Sequence, residues 1–261
     1  MYNLDMLNLN SQQTAKKIEE FIKNTLKSQG FKRVVVGVSG GIDSATALAL
    51  ATKALGAQNV HVISMPYGNN GKQGTVSSID IKPIVDSFNK PTRSNPASSK
   101  LRLGNIMARV RMIILYDYAK KNDALVCGTE NRSEYHLGYF TRFGDEASDL
   151  EPLIGLYKTQ VRQLAKYLNV SKAILDAQPT AELWEGQTDE QELGFSYESA
   201  DPIIYLYCDK KISADKIVAE GHNPKLVKKV VDRVNQASFK HLLPFTPPQA
   251  RQGLTLQPCT K

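Results

Sequence analysis

Val34-Val35-Val36-Gly37-Val38-Ser39-Gly40-Gly41-Ile42-Asp43-Ser44-Ala45 is the stretch whose reading decides the fold. Val34 to Val38 is a short apolar, β-branched run, as expected of a strand covered on both faces in a parallel sheet. Ser39, Gly40 and Gly41 follow with no bulky Cβ, so the backbone there can turn sharply and approach a ligand. From Asp43 the Ala/Leu-rich run to Leu55 is strongly helix-forming. A tight loop thus opens a helix, with backbone N–H groups and the positive dipole end facing outward. That is an anion site, and phosphate is the usual anion. The Walker sequence G-x-x-x-x-G-K-[ST] is absent from it.

Further elements are read outward from this stretch. Asn10 to Gln29 predicts a helix with Ile18, Phe21, Ile22 and Leu26 on one face and Gly30 as its C-cap. Gly56 ends the helix that follows the loop, and Val60 to Met65 predicts a second strand. Tyr67 to Gly74 is polar and glycine-rich. Ile79 to Val85 reads as a short third strand, and Lys90 to Lys100 as a loop. Leu103 to Lys121 predicts a helix with Ile106, Val110, Ile113, Ile114 and Tyr118 on its apolar side. Ala124 to Cys127 predicts a fourth strand, and Lys158 to Leu168 a helix. Asn223 as N-cap with Pro224 in the first turn starts a last helix to about Lys240. Strands alternating with helices imply an α/β fold, with a doubly wound, mainly parallel sheet flanked by helices and a helical C-terminal part. Ligands of such sheets sit beyond the carboxyl ends of the strands, where both the Ser39 loop and the Gly128 segment fall. No repeat or linker divides residues 1–261, which favours one domain.

Composition narrows the class. The 261 residues are 41% hydrophobic and 23% charged, ordinary for a globular protein. No apolar run reaches membrane-spanning length, and the N-terminus lacks a signal-peptide pattern, so a cytoplasmic location is expected. Cys127, Cys208 and Cys259 show no metal or disulfide spacing. Cys127, beside Gly128 at a strand end, reads as small-residue packing. The net charge of +7 is spread over scattered Lys and Arg, without a basic run interleaved with aromatics, so no nucleic acid is expected as partner.

Ser39-Gly40-Gly41-Ile42-Asp43-Ser44 resembles the pyrophosphate loop of the ATP pyrophosphatases, the adenine nucleotide alpha hydrolase-like enzymes. Later segments narrow the likeness: Gly128-Thr129-Glu130-Asn131-Arg132-Ser133-Glu134, Gly138-Tyr139-Phe140-Thr141-Arg142-Phe143-Gly144-Asp145, Leu156-Tyr157-Lys158-Thr159-Gln160 and Pro179-Thr180-Ala181-Glu182. Together they resemble the ammonia-dependent NAD(+) synthetases over most of residues 31–235.

That resemblance implies ATP-dependent amidation of deamido-NAD by ammonia, through an acyl-adenylate, with AMP and pyrophosphate released. It implies that Gly37, Val38, Ser39, Gly40, Gly41, Ile42, Asp43 and Ser44 cradle the phosphates. Thr129, Lys158 and Thr180 match ATP-binding positions, and Lys158 also counts with Asp145 as catalytic. Asp43 and Glu134 match ligands of Mg²⁺, a hard ion that takes oxygen donors. Arg111, Arg142, Asp149 and Lys240 match positions that hold deamido-NAD, and Asp145 an acid of the ammonia pocket. A homodimer with substrate at the interface is implied as well. Glutamine-dependent relatives carry an extra domain with a cysteine nucleophile, for which this sequence has no room, so free ammonia is the expected nitrogen source.

Departures from the pattern are local. Glu146 and Ala147 stand where the family usually has glycines, and residues 67–78 are shorter than usual. The tail 247–261 does not match and is expected to be disordered. On the residues alone two alternatives stay open: another ATP pyrophosphatase, tRNA-modifying or an amidotransferase relative, and a non-catalytic adenine-nucleotide-binding module.

Overall fold

The computed structural model describes residues 4–68, 77–88, 96–180 and 186–242. The Tyr67–Gly74 loop beyond Gly68, and the tail 247–261, lie outside the described residues.

Helix α1 (Ser11–Gln29) starts at Asn10, whose Oδ1 accepts the Gln13 N–H, and stops at Gly30 in the left-handed region (φ 78°). Its Ile22 and Leu26 are buried, whereas Phe21 is 43% exposed. The expected four-residue face is therefore narrower. It follows the i, i+4 row of Ile18, Ile22 and Leu26, and Phe21 lies at its edge. Strand β1 (Arg33–Val38) leads into α2 (Ile42–Leu55), which Gly56 ends. Strand β2 (Val60–Ser64) pairs parallel to β1, with Val38 opposite Ser64.

The expected third strand at Ile79–Val85 is corrected. The strand β3 is only Ser77–Ser78, parallel to β2, and Lys82–Phe88 forms helix α3. Asp80 explains the switch: its Oδ1 accepts the Lys82 N–H at 2.8 Å, an acid capping a helix start. Ile81 and Val85 are fully buried at helical i, i+4 spacing, which in a short apolar run resembles a strand. Helix α4 (Pro96–Lys121) begins inside the expected Lys90–Lys100 loop. Val110 is buried on α4, and Ile106, Ile114 and Tyr118 pack beside it, but Ile113 is 60% exposed and belongs to the outer face.

Strand β4 (Ala124–Cys127) completes an all-parallel sheet in the order β3-β2-β1-β4. Val34 and Val36 face a cluster with α1 and α2, while Val35 faces the opposite cluster with α3 and α4. Alternation within one valine run thus fills both faces, as the doubly wound reading requires. Cys127 is 2% exposed in the first cluster. Asp149 and Leu150 extend the free edge of β4: Asp149 Oδ2 accepts the Val126 N–H at 2.7 Å, and Leu150 bridges Cys127.

The rest is helical. Helix α5 (Arg132–Leu137) is followed by α6 (Lys158–Tyr167), which joins α1 and α2 on the first face. Then come α7 (Lys172–Leu175), α8 (Asp189–Leu193), α9 (Tyr197–Ile204), α10 (Ala214–Ala219) and α11 (Pro224–Ala237). Asn223 caps α11 through Oδ1, as its sequence predicts, and a 3₁₀ turn (Ser238–His241) carries the chain on past Lys240. Tyr197, Ile203 and Val230 form the centre of a third apolar cluster between α5, α9 and α11. Among the described residues no helix is long and apolar enough to cross a membrane.

Candidate functional site

The order β3-β2-β1-β4 reverses direction between β1 and β4, and connections leaving those two strands diverge there. A cleft of about 2030 Å³ opens at that end of the sheet. Val38, Ser64 and Cys127, the last residues of β1, β2 and β4, all line it. The C-terminal helices supply its far wall.

On the sheet side lies the Ser39 loop. Gly40 takes φ 93°, a left-handed value that a side chain would strain. Gly41 serves differently: a Cβ there would stand 3.2 Å from Ser39 Oγ, which accepts the Gly41 N–H. Ser44 Oγ donates to the Gly41 carbonyl at 3.1 Å and accepts the Ser39 N–H at 3.3 Å, tying the loop into a fixed arc. As N-cap, Gly41 offers no side chain to the first N–H groups of α2, so they remain available to an anion. At Gly37 a Cβ would stand 3.3 Å from both Leu115 and Met65, so glycine lets α4 lie against the strand end.

Opposite the loop, Lys158 is 3% exposed at the first turn of α6. A lysine there opposes the helix dipole. The structure supplies the compensation: Nζ donates to Asp43 Oδ2 at 2.5 Å and to Glu134 Oε1 at 2.9 Å, and lies 5.2 Å from the Tyr197 ring centre. Burial works against the lysine charge, but Asp43 and then Glu134 outweigh it and hold the ammonium above its ordinary range. Burial raises the Glu134 carboxyl, with Lys158 pulling the other way. Three chain segments meet here because each is anchored separately. Asn131 forms a capping box with Glu134 at the start of α5, and its Nδ2 donates to Asp43 Oδ1 at 2.9 Å. The first amides of α6 are capped from afar: Lys158 N–H donates to Ser133 Oγ at 2.8 Å, and Thr159 N–H to Asp201 Oδ2 at 2.9 Å. Ser133 in turn donates to Asp201 Oδ1 at 2.6 Å.

The other expected site residues divide. Thr129, Thr180, Arg111, Asp145 and Lys240 line the same cleft. Arg111 Nε donates to the Met65 carbonyl at 3.0 Å, which turns its guanidinium along the cleft wall. Lys240 Nζ donates to the carbonyls of Gly138 at 2.7 Å and Phe140 at 2.6 Å. Asp145 is open to water inside the cleft and accepts the Thr141 N–H at 2.9 Å. Although its surface reaches the cleft, desolvation by the enclosing walls raises its carboxyl above the usual range, against the pull of Thr141 and Lys240. Gly40 and Ile42 sit in the loop without lining the cleft, and Arg142 and Asp149 lie outside the lining. Arg142 donates to the Leu242 carbonyl and stacks on Phe143, and Asp149 holds the sheet edge. Glu146, one of the departures, caps a turn by accepting the Phe143 N–H at 3.1 Å, where Phe143 takes φ 60°.

Sequence reasoning did not single out Asn131, Asp201 or Asp189. Asn131 was legible as a cap three residues before Glu134. Asp201 carries no local signal, since its partners are 42 and 68 positions away. Asp189 reads as an ordinary first-turn acid, yet it is 3% exposed, lines the cleft, and its Oδ1 has no hydrogen-bond partner among the described residues.

Residues 14–244 match the family model described as NAD synthase. The NH(3)-dependent NAD(+) synthetase of Thermococcus kodakarensis is 46% identical over 242 residues, covering 88% of this chain and 94% of that protein. An NMN synthetase structure from Francisella tularensis superposes with TM-score 0.76 at 32% identity, covering 92% of this chain and 100% of the other. The NH3-dependent NAD synthetase of Campylobacter jejuni, solved with nitrate, gives 0.75 at 30% identity over the same shares.

Proposed function

This chain belongs to the NAD synthase family, and on that premise we propose how its cleft carries out the family's reaction. The reaction is ATP-dependent amidation of deamido-NAD by ammonia, through an acyl-adenylate, giving NAD, AMP and pyrophosphate. A carboxylate resists nucleophiles because oxide would have to leave. Transfer of AMP to it makes a mixed anhydride from which AMP departs readily. The protein must therefore neutralise a triphosphate, bring two anions together and stabilise an oxyanion.

The single observation that carries the reading is Lys158, buried between Asp43 and Glu134 and facing the Ser39 loop across one cleft. The loop amides and the α2 dipole receive the departing pyrophosphate, and Lys158 supplies positive charge to the phosphate oxygens. Thr129 and Thr180 line the cleft where the nucleotide would lie. Asp43 and Glu134 suit Mg²⁺: both are hard oxygen donors that already share one cation. No group of three or more metal-ligating side chains occurs among the described residues, so the ion would take its remaining oxygens from phosphate and water. When bound, Mg²⁺ would neutralise phosphate charge. Arg111 and Lys240 are assigned to deamido-NAD, and Asp145 to ammonium. Arg142 and Asp149, outside the lining, are assigned to deamido-NAD by resemblance alone, and across a homodimer contact Arg111 or Lys240 would serve the neighbouring subunit. Leu101 and Ile113, exposed on α4, are apolar surface suited to such a contact. The chain is taken as one unit, its cleft being shared by sheet and C-terminal helices, and as cytoplasmic, where ATP is at hand.

Incubation with ATP, Mg²⁺, ammonium and deamido-NAD is expected to yield NAD, AMP and pyrophosphate. A parallel arm with nicotinate mononucleotide tests the reading suggested by the Francisella relative. ATP turnover with neither substrate would defeat the assignment. Light scattering that reports an active monomer would defeat the dimer.

A further inference from the structure

One wall of the cleft carries more acid than the roles above use. Glu130, Glu134 and Asp145 line it, and Glu151, then Glu134, Asp145 and Glu146, act electrostatically on Glu130. Lys240 faces Asp145, Glu130 and Glu146, its ammonium already committed to the Gly138 and Phe140 carbonyls; His241 faces Glu146, Arg233 lines the cleft beside Lys240, and Lys158 faces Glu134.

Glu130 is 7% exposed, and its Oε1 is buried without a hydrogen-bond partner among the described residues. Glu151 is built in behind it. Glu151 Oε2 accepts the Glu130 N–H at 3.1 Å, and Oε1 accepts the Ser148 hydroxyl at 2.7 Å. Gly128 makes room for this carboxylate, since a Cβ there would lie 1.8 Å from Glu151 Oε1. A carboxylate buried with an empty oxygen either keeps a proton or takes a cation. Of the two cations the proposed reaction uses, Mg²⁺ is assigned to Asp43 and Glu134, which leaves ammonium for the oxygen of Glu130.

We propose that Glu130, backed by Glu151, is a further proton-accepting residue of the amidation step, holding ammonium beside Asp145 and taking the proton that must leave before nitrogen can attack. The inference rests on the function proposed above. As ammonium enters, Glu130 gives its own proton to water and pairs with the cation. Ammonium then returns one proton to Glu130 and becomes ammonia. Its lone pair forms the C–N bond to the acyl carbon, and the C–O bond to AMP breaks, AMP leaving with the electron pair. The second surplus proton passes from nitrogen to Asp145 and on to water. An ordinary glutamate is too weak a base for this. Burial, and then Glu151, push the Glu130 carboxyl up to about 9, close to the basicity of ammonia.

The test compares Glu130→Gln, Glu130→Asp and Glu151→Gln with the unaltered chain. Glutamine matches the shape of the protonated acid, so folding is retained. In E130Q, exchange of labelled pyrophosphate into ATP, driven by deamido-NAD, is expected to persist. NAD formation at neutral pH should fall by ~10²-fold, the lower end for loss of a general base. The KM for ammonium should rise, and the rate should climb with pH in proportion to free ammonia. E130D should recover part of the loss, and E151Q should shift the pH profile in the same direction. An ammonium KM and pH profile unchanged in E130Q would overturn the proposal. So would equal losses of exchange and NAD formation in both glutamine variants. Absence of turnover by the unaltered chain would instead refute the function itself, so the two failures are told apart.

Discussion

Replacing Lys158 by methionine is the sharpest perturbation of this site, because it separates the ion pair from the rest of the fold. Methionine keeps most of the aliphatic stem and removes the ammonium, and with it the two hydrogen bonds and the charge held over the Tyr197 ring. What remains is Asp43 and Glu134, each formerly bonded to one ammonium, at 2.5 and 2.9 Å. The side chains of Lys158, Asp43 and Glu134 are 3%, 15% and 16% exposed. Those values take the pair out of the surface class, worth about 0–1 kcal/mol, into the buried class. Removing one partner of a buried pair costs about 3–5 kcal/mol, because an uncompensated charge stays behind. Urea unfolding of Lys158→Met should therefore lose stability of that order. The loss should shrink as pH falls, since protonating Glu134 removes the repulsion. Added Mg²⁺ should raise the variant's midpoint more than that of the unaltered chain, the ion standing in for the lost cation. Turnover should fall by ~10²–10³, as for loss of one preorganised electrostatic group. A variant as stable as the parent, with the same Mg²⁺ response and near-normal turnover, would refute the reasoning for this site.

Other consequences can be measured alongside. In Asp145→Asn, pyrophosphate exchange should survive while NAD formation falls, with partial recovery at higher pH; equal loss of both half-reactions would remove Asp145 from the ammonia pocket. Asp201→Ala strips three hydrogen bonds from a fully buried carboxylate and should cost more than about 3 kcal/mol in denaturant unfolding, each bond to a charged group being worth ~1.5–3 kcal/mol; a loss under about 1 kcal/mol would show that α6 does not depend on this cap. Glu130 is raised to about 9 and Glu151 to about 7 by burial. A raised carboxyl stabilises the fold below its unfolded pKa, and that stability is lost as pH rises through the folded value. Urea midpoints should thus decline from about pH 4.5 towards pH 9, and less steeply in Glu130→Gln; parallel curves for the two proteins would contradict the burial of that charge.

Local rules were enough for much of this protein. The valine run, its two-faced burial and the small-residue loop before an Ala/Leu helix follow from steric and periodic constraints acting within a dozen residues. They account for the parallel sheet, the small-residue turn before the helix and the caps at Gly30 and Asn223. The same rules erred where a signal was short. Ile79–Val85 looks like a strand because seven residues with apolar side chains only at Ile79, Ile81, Ile84 and Val85 carry little period, and Asp80 turned the stretch into a helix start. Phe21 and Ile113 were drawn into apolar faces because hydrophobicity says nothing about which part of a helix surface finds a neighbour. Motif likeness named Asp43, Glu134 and Lys158, but their chemistry belongs to the tertiary structure. Lys158 is 115 positions from Asp43 and 24 from Glu134, and it is a buried cation only because Asn131, Ser133 and Asp201 hold three segments in register. Glu130 read as one more polar residue after Thr129. Its unpartnered oxygen, and the space Gly128 leaves for Glu151 beside it, exist only once the chain has closed around them, because burial and electrostatic neighbours are properties of the packed molecule and not of the residue.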